Sequence, residues 1–279
     1  MNDSKHWTLD IGHWTLDILG ITPTQLQIFL LALARTASLF FVAPVLSSVG
    51  IPPQVKVWIA ALTALVFTPS VVNGLGGDAA ALGEMLKQPM AFAFLMVTQC
   101  VIGLLIGFAA NLLFIGVQMA GELIDLQIGF ATINLLNPLA NQPISLVANL
   151  QQFIAMILFL TFNGHHWLLL GIGQSFQLVP LNGSATDAAT LPQLLTLFSG
   201  TLGIAVKVSA PALGALMIAD AVLGLMARTL PQMNVFVVGF PLKIGIGLGV
   251  LLLSLPSFGA LLQNLFSAMP KDVWRLMGQ

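Results

Sequence analysis

Charge is what this chain of 279 residues has least of. Asp, Glu, Lys and Arg make up 7 % of it, against roughly 25 % in an average soluble domain. The formal net charge of −1 leaves no cluster of Lys and Arg with which to hold a phosphate backbone, so nucleic acid is excluded as a partner. Cysteine is reduced to one residue, Cys100, in the apolar run VTQCVIGLL. It has no internal partner, so no disulfide framework exists, and it reads as a small buried hydrophobe. Catalytic signatures are missing as well: there is no H-E-x-x-H, G-x-S-x-G or P-loop pattern. His165 and His166 fall on opposing sides of a helix start beside Trp167, a poor geometry for joint metal ligation. The expectation is a non-enzymatic protein without cofactor or metal.

What the chain does have is apolar length. Hydrophobic residues make up 57 % of it and the mean hydropathy is +0.97, values that fit neither a soluble globular class nor a disordered one. Residues 26–46, 90–119 and 244–255 are apolar runs that cross or nearly cross a bilayer core, which takes about 20 helical residues. The fold class expected is all-α: a multi-helix, membrane-associated protein with broken and kinked helices.

The breaks are frequent. Glycine (26) and proline (15) punctuate the runs, and a broken helix in hydrocarbon needs protein or water to satisfy its freed backbone groups. Helices are expected over 24–47, ended by Gly50 and Pro52-Pro53; over 54–67, closed by Pro69 and NGLGG; and from Pro89 past Gly116. Residues 73–89 read as a polar connector and 121–137 as an irregular stretch closed by Pro138 and Pro143. Two further segments, 145–162 and 166–178, are split at Asn163-Gly164, and 180–192 forms a second connector. A helical hairpin follows, 193–227 and 234–265, turning around Pro231. The pairs Gly103/Gly107 and Gly245/Gly249 have the G-x-x-x-G spacing that lets helices approach closely. At the N-terminus no signal-peptide h-region is present. Instead HWTLDI occurs twice, at 6–11 and 13–18. It reads either as an amphipathic segment with Trp7 and Trp14 as interfacial anchors or as a local duplication without a role.

The remaining charges stand where charge is expensive. Arg35 lies inside LLALARTASLFF, and a central Arg costs about 2.5–3.5 kcal/mol on insertion scales, so it must be paired or face water. Glu122 and Asp125, three residues apart, project from one helix face. Lys207 and Asp220 would be about 20 Å apart along one helix, too far to pair with each other. Pro211 would free the Lys207 carbonyl. Three roles remain open for these groups: a proton or ion relay, the lining of a hydrated conduit or subunit joint, and structural pairs near helix ends. No internal repeat of the kind usual in secondary transporters is evident.

Three stretches taken together, GELIDLQIGFATINLLNP (121–138), LFLTFNGHHWLLL (158–170) and LGLMARTLPQMNVFVVGFPLKI (223–244), closely resemble the flagellar biosynthetic FliR family of type III secretion export gates. The early stretch ARTASLFFVAPVLSSVGIPPQVKVWIAALTALVFTP is similar to that family's opening, so the resemblance covers about residues 22–266. It implies a subunit of the flagellar export gate in the bacterial inner membrane, at the flagellar basal body. There it would join several copies of FliP and FliQ, together with FlhB, around a pore that conducts unfolded flagellar subunits. It also implies an organisation into an N-terminal extension (1–21), a FliP-like part with a plug loop (22–192), a FliQ-like hairpin (193–265) and a tail (266–279). Mapped onto this sequence, the plug comprises Gln127, Ile128, Gly129, Phe130, Ile133, Leu135, Leu136 and Asn137. Gly129 permits an irregular backbone there, and the apolar side chains would close a narrow conduit by excluding water. Arg35, Glu122, Asp125, Lys207, Asp220, Arg228 and Lys243 are the expected polar contacts within or between subunits. Many members carry Asp where Asn137 stands, and residues 1–20 have no counterpart. A secondary transporter using its carboxylates, and the same gate role in a virulence injectisome, are the alternatives.

Overall fold

The computed structural model describes residues 22–48, 50–75, 79–130, 145–182, 190–230 and 234–276. Among these residues there is no β-strand. The helices are α1 (Pro23–Val42), α2 (Pro53–Leu75), α3 (Ala79–Leu86), α4 (Pro89–Ile128), α5 (Leu146–Thr161), α6 (Gly164–Leu178), α7 (Thr190–Thr229) and α8 (Val235–Leu276). Five of them are long and apolar enough to cross a membrane, and α5 with α6, bent by 67° at their break, form a sixth candidate span. The chain is thus an all-α membrane protein.

Local chemistry sets several ends. Thr22 and Gln25 form a reciprocal capping box, with Pro23 in the first turn of α1, so two orphan donors are satisfied at once. Gly129 ends α4 in the left-handed region at φ 100°, the usual glycine stop. Asn163, at φ 55°, turns α5 into α6. Gly164 sits there because a Cβ would lie 2.2 Å from the Phe159 ring.

Three expectations fail. Pro69 does not end its helix: α2 continues through it to Leu75. One proline removes a single backbone bond, which the surrounding apolar turns tolerate. The connector expected over 73–89 contains α3, held by Leu82 and Leu86, both fully buried and four residues apart; its last carbonyl, on Leu86, accepts from Gln27 Nε2 at 3.2 Å. Likewise residues 121–128, expected to be irregular, are the last turns of α4, because Ile124 and Ile128 bury themselves against Val147, Ala212 and Leu216.

α4 is the axis of the molecule. Its 40 residues reach about 60 Å at 1.5 Å per residue, and it packs on α1, α5 and α7. The larger core joins all eight helices, α3 through Leu82 and Leu86, α7 through Ile204 and Val208, and α8 through its far end. Phe114, Phe159 and Phe266 meet there with ring centroids 5.2–5.8 Å apart. The smaller core lies where the end of α4 meets α5, α7 and α8. Outward faces stay apolar: Trp58 is 70 % exposed and Leu253 83 %.

Candidate functional site

Asp125 lies in the last turns of α4 and is buried. Its carboxylate accepts from the backbone N–H of Val147 at 3.0 Å and of Ala148 at 3.2 Å, and from the Ser145 hydroxyl. These are the second and third residues of α5, whose first N–H groups have no partner within their own helix. Asp125 therefore caps α5 from a different helix, and its negative charge faces the positive end of the α5 dipole. Glu122, expected on the same face, instead points outward and accepts from Gln118 Nε2 at 3.1 Å. The structure thereby separates the two carboxylates that would have repelled each other.

One turn further on, three elements meet. Gln127 Nε2 donates to Asp220 Oδ2 at 2.7 Å. Lys243 of α8 forms an ion pair with Asp220 Oδ1 of α7 and donates to the Gln127 carbonyl at 3.2 Å. Asp220 and Lys243 are both partly buried. A charged clasp on the α7–α8 hairpin thus grips the C-terminal turn of α4. Ile128 is fully buried here, and its side chain lies where a Cβ on Gly247 would come within 2.6 Å. Gly129 adjoins the Phe240 ring, and Phe130 meets Phe240 edge to face with centroids 6.4 Å apart. Of the expected plug residues, Gln127 to Phe130 are therefore brought together with the hairpin. Ile133, Leu135, Leu136 and Asn137 lie outside the described residues.

Arg35 forms a separate site. It is fully buried and donates from Nε to Gln99 Oε1 (2.7 Å), from Nη1 to the Ser175 carbonyl (2.8 Å) and from Nη2 to the Val179 carbonyl (2.9 Å). Its guanidinium carbon lies 4.4 Å from the centre of the Phe176 ring. Its acceptors are neutral; the charge is balanced by the carbonyl end of α6, where the helix dipole is negative, and by the aromatic face. Gln99 in turn donates to the Leu181 carbonyl at 3.1 Å. Arg35 and Gln99 thus tie α1 and α4 to the C-terminus of α6.

Lys207 and Arg228 are exposed on α7 and have no side-chain partner among the described residues. Asp220 pairs across the hairpin and not along its own helix. The sequence reading missed Gln99 and Ser145. Gln99 could have been found, since an amide inside 90–119 needs partners for the same reason that Arg35 does. Nothing in the sequence marks Ser145 as the partner of a carboxylate 20 residues away. No group of three or more His, Cys, Asp and Glu that could hold a metal occurs among the described residues.

With this geometry established, comparison with known proteins is informative. The family model described as "Bacterial export proteins, family 1" matches residues 26–269. The flagellar biosynthetic protein FliR of Escherichia coli (strain K12) is 29 % identical over 246 residues, covering 87 % of this chain and 89 % of that protein. FliR of Bacillus subtilis (strain 168) is 30 % identical over 242 residues, covering 86 % and 90 %. This chain belongs to the FliR family of bacterial export proteins. FliR of Aquifex aeolicus (strain VF5), 30 % identical over 244 residues, extends the likeness to a further relative. The matched region contains Arg35, the Asp125 cap and the Asp220–Lys243 clasp, whereas the duplicated segment at 6–18 precedes it.

Proposed function

We propose that this chain is a subunit of the flagellar type III export gate in the bacterial inner membrane, non-enzymatic, acting by assembly and closure. It assembles with FliP- and FliQ-type partners and with FlhB around a passage for unfolded flagellar subunits. The single observation that carries this reading is the family match over 26–269. The exposed apolar faces support it: 6 % of the apolar window of α8 and 22 % of that of α2 are buried within the chain, against 56 % for α4. Lipid covers part of such surface, and partner helices the rest.

Closure is assigned to residues 127–137. Their first turn is gripped by Asp220 and Lys243, which sets where the following chain enters the passage. Co-expression with the FliP and FliQ proteins of the same cell tests assembly: the three should co-purify as one particle. A chain that purifies alone, monodisperse and indifferent to both, overturns the reading. Deleting residues 127–130 should make cells permeable to small ions; unchanged permeability with normal assembly removes the plug role.

A further inference from the structure

One side of α4 stays open along most of its length. Starting at Phe94, steps of three and four residues alternate without a break through Val97, Leu104, Asn111 and Gln118 to Glu122. Every position on this path is exposed or half-buried; Phe94 is 72 % exposed and Val97 61 %. The opposite side of the same helix carries Ile102, Ile106, Ala110, Val117 and Ile124, all buried. An average step of 3.5 residues is the spacing of a seam between two supercoiled helices. No other helix covers this seam among the described residues.

The composition of the seam selects what covers it. Its first half is apolar, and its second half includes Asn111, Gln118 and Glu122. Asn111 makes no side-chain hydrogen bond among the described residues. Glu122 accepts from Gln118 at 3.1 Å, but no Lys or Arg pairs with it among the described residues. From Phe94 to Glu122 the path rises about 42 Å, whereas the bilayer core is about 30 Å thick. Lipid therefore does not satisfy the whole seam at any depth. With residues 111–122 inside the core, an amide and a carboxylate face hydrocarbon unanswered. With them beyond the core, Ile115 and, one turn past the path, Leu126 at 66 % exposure face water. A protein helix answers both halves.

That helix comes from a different protein. The longest stretch of this chain outside the described residues, 1–21, is shorter than the path, and its three Asp against one Lys suit Glu122 poorly. A second copy of the chain would offer the same seam, which contains no Lys or Arg, and parallel pairing would set Glu122 against Glu122.

We propose that the Phe94–Glu122 side of α4 receives one long apolar helix of a different subunit, with a Lys or Arg opposite Glu122 and amide or hydroxyl side chains opposite Asn111 and Gln118. The proposal rests on the gate-assembly reading and names the surface by which this chain is held. The apolar half supplies contact area. The polar half fixes the register, as a polar residue inside a coiled-coil seam does.

The test is made in cells that produce the full chain together with its partners. A photo-activated cross-linking side chain is placed in turn at Val97, Leu104 and Ile115. All three should give adducts with one partner helix, at positions that advance along it in the same alternating steps. Glu122→Lys should lower recovery of that partner about tenfold, because like charges set across an interface repel. Replacing the partner's facing Lys or Arg by Glu should restore it. Thermal unfolding of the isolated Glu122→Lys chain should match that of the parent, since Glu122 is exposed, which separates the interface from folding. Adducts confined to lipid, adducts scattered over several helices, or a Glu122→Lys chain that keeps its partner overturn the proposal. Should that happen while the parent still co-purifies with the FliP and FliQ proteins, the seam falls and assembly stands. A parent that recovers neither protein overturns the assembly reading instead, and the adducts, read without purification, still decide the seam.

Discussion

At the scale of residues, two buried ionic groups hold this molecule in different ways. Arg35 binds carbonyls and an amide, so removing it leaves acceptors that water cannot reach. Arg35→Leu should lower stability by about 3 kcal/mol, the cost of several orphaned buried groups, as read by thermal unfolding in detergent. Arg35→Lys should recover part of this, since one ammonium cannot serve three separated acceptors. Asp125 caps a helix that is not its own, and Asp125→Ala should cost about 2 kcal/mol. Asp125→Asn should retain part of the cap, because its carbonyl still accepts from Val147. Equal losses in Asn and Ala variants would show that the cap acts through charge alone. Both positions were legible as sites of strong interaction, because a charge in an apolar run must be answered. Their partners were not legible, since Ser175 lies 140 residues from Arg35 and only the folded chain brings them together.

Among the elements, the glycine pairs separate what spacing alone shows from what packing decides. Gly103/Gly107 and Gly245/Gly249 look alike in the sequence. In the fold, a Cβ on Gly103 would lie 2.1 Å from the Arg35 carbonyl oxygen, and one on Gly107 3.0 Å from that of Leu39, so this pair sets the approach of α4 to α1. At Gly245 and Gly249 a Cβ would meet nothing within 4 Å. Gly103→Ala should therefore destabilise the isolated chain strongly, the backbone of α1 having to move. Gly245→Ala and Gly249→Ala should leave its stability unchanged or raise it by up to about 1 kcal/mol per site, through helix propensity. If the outer face of α8 receives a partner helix, the same two substitutions should lower recovery of the FliP–FliQ particle, measured by co-purification. Helix ends show a similar division. Asn163-Gly164 was readable as a break from backbone chemistry, whereas the stop at Gly129 was not, since residues 121–137 were read as irregular throughout. Pro69 was misleading, because whether a proline ends a helix or is merely carried by one depends on what surrounds it.

For the molecule as a whole, the question is what couples the hairpin to the end of α4. Asp220 and Lys243 stand at nearly equal distances from the connection between α7 and α8, so antiparallel packing alone brings them level. The sequence reading found Asp220 and Lys207 too far apart on one helix to pair, and it named no partner for either across the turn. The consequence is that a hairpin movement which parts Asp220 from Lys243 also releases Gln127, since Gln127 is bonded to both. Asp220→Asn and Lys243→Met should each loosen this grip and raise ion leakage through the assembled particle, measured as dissipation of the membrane potential in cells or as conductance in planar bilayers. Exchanging the two charges, Asp220→Lys with Lys243→Asp, restores the attraction but reverses the groups offered to Gln127. The double variant should therefore leak less than either single one and more than the parent. Coupling between the substitutions would identify the pair as the unit that acts. Additive effects, or single variants as tight as the parent, would confine the clasp to holding the hairpin together and leave closure to the chain beyond residue 130.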